Sequence, residues 1–569
     1  MSHLRFPAIA LSVLLPLAVS AETSRPNIVV ILADDLGWAE VGAFGQQKIR
    51  TPHLDRMAAE GQRWTQFYSG APVCSPSRNV LLTGRHTGGC NVQNLKRVNA
   101  KETENSFGGD WPMDARQYTL HQALGKIGYA TSAFGKWGMG EYGTTGAPDR
   151  KGVDYFYGYT DHRVCHTFYP PFLWRNGAKD AINDPGIPGH MRQPEGEVDD
   201  AAYTGQKHAS VAILDEALQW LDAQAAPAKE GKPFLLYYCP LEAHVAMQPP
   251  REWVEKYPRD WDAAPYRGEK GYLPHSRPRA AYAATISFLD DSVGRVLAKL
   301  KDKGLDENTL VIFTSDNGTT HDVGGVDHAF FHSVADLRGL KGTMFEGGIR
   351  VPTIVRWPGR VAAGKVIAQP AYSADLMPTL CALTGADAGQ PFGENLLPVV
   401  LGKADSIAAR KPLVWTGGGY GGQVAVRIGD MKAMRRNLYK MPLDWEVYDL
   451  AKDRSETTDL ASTRRDVIDA ALTVLKTEYQ LADGYPELAI FATESGLKEG
   501  APEAAMDAPQ RLFKRLDIHT DGKLSFDEWK NSPKALANPG KLGPIFTGLD
   551  TDGDKALSAA EFAAQWKQN

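Results

Sequence analysis

The 569 residues carry 63 Lys and Arg against 68 Asp and Glu, a formal charge of -5 with His neutral. That balance excludes a global pull towards nucleic acid or an anionic membrane, so an anionic substrate has to be met by a local basic pocket. An apolar share of 43% and a charged share of 23% belong to a globular chain, long enough for a large core and more than one domain.

Residues 1–21 read as a signal peptide. Arg5 gives the positive region, residues 9–19 the apolar stretch, and Val19-Ser20-Ala21 a small-residue cleavage site. Pro16 breaks the stretch, which is short for an anchor, and no later run reads as a membrane span. The expectation is a periplasmic or secreted protein. Its five cysteines are too few for a disulfide framework in so long an exported chain. At most two bridges would remain beside Cys74.

Residues 27–33 form a β-branched apolar run, as for a strand buried on both faces of a parallel sheet. The run ends in Asp34-Asp35, where an open α/β sheet binds its ligands. Two adjacent acids repel unless a cation is shared between them. In Cys74-Ser75-Pro76-Ser77-Arg78, Ser75 reads as a helix N-cap and Pro76 as the first helical residue. Cys74 then stands at the positive end of that helix, with Arg78 one turn in, a place for an oxyanion beside a nucleophile.

Residues 120–127, 205–224 and 280–303 read as helices, and 129–134 and 233–239 as strands. Residues 309–314 repeat the buried-strand pattern and end in Asp316-Asn317-Gly318. That oxygen set suits calcium, or alternatively magnesium. A strand at 353–357 and a short helix at 375–385 follow. The fold class is α/β, a mixed, mainly parallel sheet sandwiched by helices over residues 22–405. Shorter strands and one terminal helix make a smaller α+β subdomain at 406–486.

Residues 487–506 read as a linker to an all-α module at 507–569. Its first loop carries Asp517, His519, Asp521, Lys523, Ser525 and Glu528 at calcium-binding spacing, and its second Asp550, Asp552, Asp554, Ala556, Ser558 and Glu561. The two resemble an EF-hand pair binding calcium. His519 is a poor ligand for a hard cation, and Lys555 replaces the turn glycine of the second loop.

Cys74 to Arg85, Cys-Ser-Pro-Ser-Arg followed by Leu-Thr-Gly-Arg, resembles the signature of type I sulfatases in the alkaline-phosphatase-like superfamily. The likeness extends over about residues 25–485. It implies sulfate ester hydrolysis by formylglycine, an aldehyde made from Cys74 by a formylglycine-generating maturation enzyme. The hydrate attacks sulfur, and the aldehyde reforms as sulfate leaves. The resemblance also implies a calcium site from Asp34, Asp35, Cys74, Asp316 and Asn317. Arg78, Lys136 of Gly135-Lys136-Trp137, and Lys341 of the segment Arg338 to Gly342 become sulfate-binding and catalytic groups. His244 becomes the general-acid candidate at the ester oxygen.

The family's Gly-Lys-Trp-His histidine is absent, because position 138 is Gly138. His166 is the candidate to replace it as proton acceptor, and His162 the runner-up. His332 and Arg338, with Trp174 and Arg175, are candidates for a sugar-binding rim. Export and the calcium module favour a sulfated carbohydrate as substrate. The alternatives are a phosphate or phosphonate monoester hydrolase, and a catalytically impaired, calcium-dependent glycan-binding protein.

Overall fold

The computed structural model describes residues 25–98, 109–417, 419–439, 443–483, 485, 488, 490, 513, 516, 522–530 and 542–564. The expected signal peptide and the loop residues Asp517, His519 and Asp521 lie outside them. Among the described residues no helix is long and apolar enough to cross a membrane.

Ten strands form the main sheet: Asn27–Ala33 (β1), Gln62–Trp64 (β2), Ala130–Lys136 (β3), Tyr155–Tyr159 (β4), Phe172–Arg175 (β5), Ala178–Ala181 (β6), Phe234–Cys239 (β7), Thr309–Ser315 (β8), Thr353–Arg356 (β9) and Lys365–Ile367 (β10). Their order is β10-β2-β9-β8-β1-β7-β3-β4-β5-β6. The centre, β8-β1-β7-β3-β4, is parallel, whereas β9 runs antiparallel to β8 and the β4-β5-β6 edge is antiparallel.

The seven side chains of β1 are all buried because both faces are covered. Val29, Ile31 and Ala33 join one core with helices Pro52–Glu60, Ala209–Lys229 and Pro278–Asp302. Ile28, Val30 and Leu32 join the opposite core with helices Cys74–Thr83 and Leu376–Thr384. The continuous apolar run is thus split residue by residue between two layers.

Four antiparallel strands, Leu413–Thr416, Gln423–Ile428, Met431–Arg436 and Glu446–Asp449, form a second sheet, with helix Arg465–Glu478 packed on it. Leu488 and Ile490, expected in the linker, are buried in that same core, so the subdomain extends past residue 486. The sheet is tied to the main domain through buried charge. Lys432 Nζ lies 3.0 Å from Glu346 and 2.7 Å from Glu456, and all three side chains are inaccessible. Tyr68 donates to Glu346 at 2.7 Å and accepts from Arg427 at 2.5 Å.

One expectation, the start of the helix at Cys74, is corrected. Helix Cys74–Thr83 begins at residue 74, with extended Val73 as N-cap, because Ser77 N already donates to the Val73 carbonyl at 3.3 Å. Ser75 therefore lies inside the first turn and its hydroxyl caps nothing. The five cysteines are all buried as free thiols, so none of the allowed bridges forms.

Lys432→Met removes the cation shared by Glu346 and Glu456, leaving Arg350 at 3.3 Å as the partner of Glu346, and is expected to cost up to about 3–5 kcal/mol, seen as a lowered midpoint of unfolding. Burial pushes Glu456 up to about 7, against the attraction of Lys432. Its contribution is therefore full below its ordinary value and lost as pH rises through about 7. Glu456→Gln is expected to be near neutral at pH 6 and to flatten that pH dependence.

Candidate active site

The carboxyl ends of β1, β8, β3 and β7 meet the start of helix Cys74–Thr83. Asp34, Asp35, Asp316 and Asn317 are fully buried there and Cys74 is 2% exposed. Strand β3 approaches β7 so closely that a Cβ on Gly135, at φ +98°, would stand 1.9 Å from the Cys239 carbonyl oxygen. Only glycine allows that approach. It carries Lys136 into the cluster, its Nζ 2.5 Å from Asp34 Oδ2.

Lys341 Nζ lies 2.6 Å from Asp35 Oδ1 and 3.3 Å from Cys74 Sγ. Arg78 forms a two-nitrogen pair with Asp316 Oδ2, at 3.0 and 2.7 Å, and donates to the Lys136 carbonyl at 2.7 Å. Cys74 Sγ is 3.5 Å from Asp34 Oδ1. His244 Nε2 stands 3.6 Å from Asp35 Oδ2, while its Nδ1 donates to the Val245 carbonyl.

Burial alone would raise the carboxyls of Asp34 and Asp35. Lys136 beside the first and Lys341 beside the second override it and hold both well below the usual carboxylate range. Asp316 is pushed up to about 6 by burial and then by the charge of Asp34, with Arg78 opposing. Burial pushes the Cys74 thiol up to about 12 despite Lys136 and Lys341. The thiol is therefore no thiolate nucleophile at neutral pH. His244 is lowered to about 4, chiefly by burial.

The oxygen set fits a hard cation. Asn317 Nδ2 donates to Asp35 Oδ1 at 2.8 Å and to the Gly318 carbonyl at 2.9 Å, which leaves Asn317 Oδ1 buried without a partner beside three carboxylates. Such an orphaned amide oxygen is a natural ligand for calcium or magnesium.

Asp34, Asp35, Cys74, Arg78, Lys136, His244, Asp316, Asn317 and Lys341 are thus brought together. His166 joins them at the mouth, its ring 5.2 Å from His244 and nearly parallel to it. Arg338 does not join. It donates to Tyr448 Oη at 3.2 Å and to the Glu456 carbonyl at 2.9 Å, which spends its charge on the second sheet. His332 is exposed, at the left-handed end of the short helix His328–Phe331. Arg175 pairs with Asp180 and Glu216 at the sheet edge, and Trp174 packs on Tyr142.

Sequence reasoning passed over Tyr272, His190, His321 and Tyr420. Tyr272 packs against His166 and His190 at 5.0 and 4.5 Å between ring centroids, and Tyr420 meets His321 at 5.4 Å. No local pattern marks them, since each comes from a different loop.

The sulfatase family profile matches residues 26–386, and the profile described as N-sulphoglucosamine sulphohydrolase, C-terminal, matches residues 339–478. N-acetylgalactosamine-6-sulfatase of Rattus norvegicus is 32% identical over 451 residues, 76% of this chain and 75% of the relative. Arylsulfatase G of Mus musculus is 32% identical over 454 residues, 74% of this chain and 78% of the relative. The crystal structure of Ps i-CgsB in complex with k-i-k-neocarrahexaose shares the fold, with a TM-score of 0.65 at 24% identity over 81% of this chain and 95% of that one. A buried cluster of carboxylates and cations around Cys74, on a chain with these relatives over most of its length, has one reading: the chain belongs to the sulfatase family and is a sulfuric ester hydrolase.

Proposed function

We propose that the substrate is a sulfated carbohydrate and that Cys74, converted to formylglycine by a maturation enzyme, carries the nucleophile. The observation that carries this is the convergence of Lys136, Lys341, Arg78 and His244 on residue 74 inside one buried pocket. The rat relative is named for an N-acetylgalactosamine sulfate, which supports a sugar as the leaving group. The leader expected from the sequence supports a periplasmic or secreted location.

Asp34, Asp35, Asp316 and Asn317 would hold calcium, with magnesium as the alternative, and the residue-74 side chain would join them. The bound ion supplies a fixed positive charge that favours an oxyanion in the pocket. Lys136 and Lys341 flank residue 74 and neutralise the sulfate oxygens. Arg78 holds Asp316 in place and adds charge beneath. Neutral His244 donates through Nδ1 to Val245, so its Nε2 is free to take a proton. A bound sulfate ester favours the imidazolium, and Nε2–H then donates to the ester oxygen as the sugar leaves.

The C-terminal segment is read as a calcium-binding EF-hand pair. Lys523–Ser525 pairs antiparallel with Ala556–Ser558, the short ladder through which two such loops support each other. Ser525 and Ser558 each precede a short helix and accept from the backbone N–H of Glu528 and Glu561, whose carboxylates accept in return from the serine N–H and hydroxyl. In the second loop Asp550, Asp552 and Glu561 bring carboxylate oxygens together. Lys555 is held at φ +69°, a conformation that favours glycine.

The deciding experiment is mass spectrometry of the Cys74 peptide from natively exported protein. The aldehyde is expected, and an unmodified thiol would remove the formylglycine mechanism. Parallel assays with sulfate, phosphate and phosphonate esters of one leaving group should favour sulfate. Lys341→Ala is expected to lower kcat by about 10²–10³-fold. In calcium titration calorimetry on the full chain, Lys555→Gly should tighten one site, and Glu561→Gln should abolish it. Unchanged isotherms would remove the EF-hand assignment of the second loop.

A further inference from the structure

Gly138 lies at φ +75°, and a Cβ built there would meet Ser75 Oγ at 3.3 Å, Asp110 Oδ2 at 3.8 Å and Arg78 Cδ at 4.0 Å. The space that a side chain at 138 would enter is therefore bordered by the hydroxyl adjoining residue 74 and by a carboxylate. Ser75 Oγ is buried with no partner. Asp110, 2% exposed, accepts from the His162 backbone N–H at 2.8 Å through Oδ2 and from the His162 ring Nδ1 through Oδ1.

The surrounding charges leave that carboxylate to the histidine. Arg97 grips both oxygens of Asp161, at 2.6 and 2.5 Å, and stays 3.7 Å from Asp110. Glu141 is pushed up to about 8 by burial, against its bond from Thr160, and is uncharged at neutral pH. Among the described residues, the His166 ring lies 6.5 Å from the His162 ring.

The hydrogen bonds assign opposite tautomers to the two histidines. An ionised carboxylate only accepts, so His162 carries its proton on Nδ1 and keeps a lone pair on Nε2. The Tyr272 backbone N–H donates to His190 Nδ1 at 3.0 Å, which leaves the proton of neutral His190 on Nε2. That proton is donated to His166 Nδ1 at 2.8 Å. Neutral His166 therefore carries its own proton on Nε2 and is a donor. The arrangement at His162 is that of a general base oriented by an acid, and the arrangement at His166 is not.

We propose that the Asp110–His162 pair, in place of His166, accepts the proton whose loss from residue 74 releases sulfate. His166 faces the same pocket as a hydrogen-bond donor to the sulfated group. The proposal rests on the formylglycine reading above. In the step, the remaining hydroxyl of sulfated residue 74 loses its proton by way of the space beside Gly138, and His162 Nε2 gains it. The O–H electron pair becomes the second bond of the aldehyde C=O. The C–O bond to sulfate breaks, and sulfate leaves with that pair. Asp110 stays ionised and stabilises the imidazolium.

The test is single-turnover hydrolysis of an aryl sulfate by matured enzyme. His162→Ala is expected to release one equivalent of phenol at close to the wild-type rate and then to turn over about 10²–10⁴-fold more slowly. Intact mass should show the sulfate on the residue-74 peptide, and added imidazole should restore turnover. Asp110→Asn should accumulate the same species, whereas His166→Ala should slow the burst itself. Nitrogen-15 spectra of histidine-labelled resting enzyme should show His162 protonated at Nδ1 and His166 at Nε2.

Wild-type turnover in His162→Ala, accumulation in His166→Ala instead, or reversed tautomers would overturn the proposal. A retained burst shows that each variant is folded. Wild-type enzyme that carries the aldehyde yet releases no phenol would instead overturn the formylglycine reading, a separate result.

Discussion

Three carboxylates and three cations confined to one buried pocket are the constraint on which this structure depends. Asp34, Asp35 and Asp316 face Lys136, Lys341 and Arg78 with almost no access to water. Each ion taken alone would pay a desolvation cost of several kcal/mol. The cluster is tolerable only as a whole, which is why five separate chain segments must arrive together. The parallel strands β1, β8, β3 and β7 end at one level, and the start of helix Cys74–Thr83 closes the pocket. Residue 74 then sits among cations whose positions are set by carboxylates.

The second sheet belongs to the same construction. Gln423 accepts from Met344 N at 3.1 Å and donates to the Gly342 carbonyl at 2.6 Å, gripping the turn directly after Lys341. Lys432 binds Glu346 a few residues further on, and Arg427 donates to Tyr68, which in turn donates to Glu346. The position of Lys341 beside Asp35 is therefore held by contacts from both domains. Arg338, in the same segment, donates to Tyr448 and to the Glu456 carbonyl.

Gly138 shows how one missing side chain redistributes a task. Its space borders Ser75 and Asp110, and Asp110 reaches forward to His162 rather than back to position 138. A second row of rings, His166, His190 and Tyr272, is ordered by a single backbone N–H at Tyr272. Two histidines of one loop thereby offer opposite faces, one a lone pair and the other an N–H.

The central strands and their acids were legible from residue order because strands buried on both faces must be apolar without interruption, and their ligands must follow at once. Asp34, Asp35, Asp316, Asn317 and Cys74 lie within one or two residues of an element end, so local pattern pointed to them, whereas Lys136 was singled out only by its likeness to a family motif. Ser75 misled, since Val73 is the N-cap and the helix begins two residues earlier than the serine–proline pair implied. Arg338 misled because the docking of a second sheet, absent from any local window, decided where its charge went. Asp110 was invisible, an isolated acid 52 residues from the histidine it orients. Residue order by itself determined the central strands, the acids at their ends and the family. Only the tertiary structure decided which histidine can accept a proton, because a tautomer is set by the partner that a ring meets across the pocket.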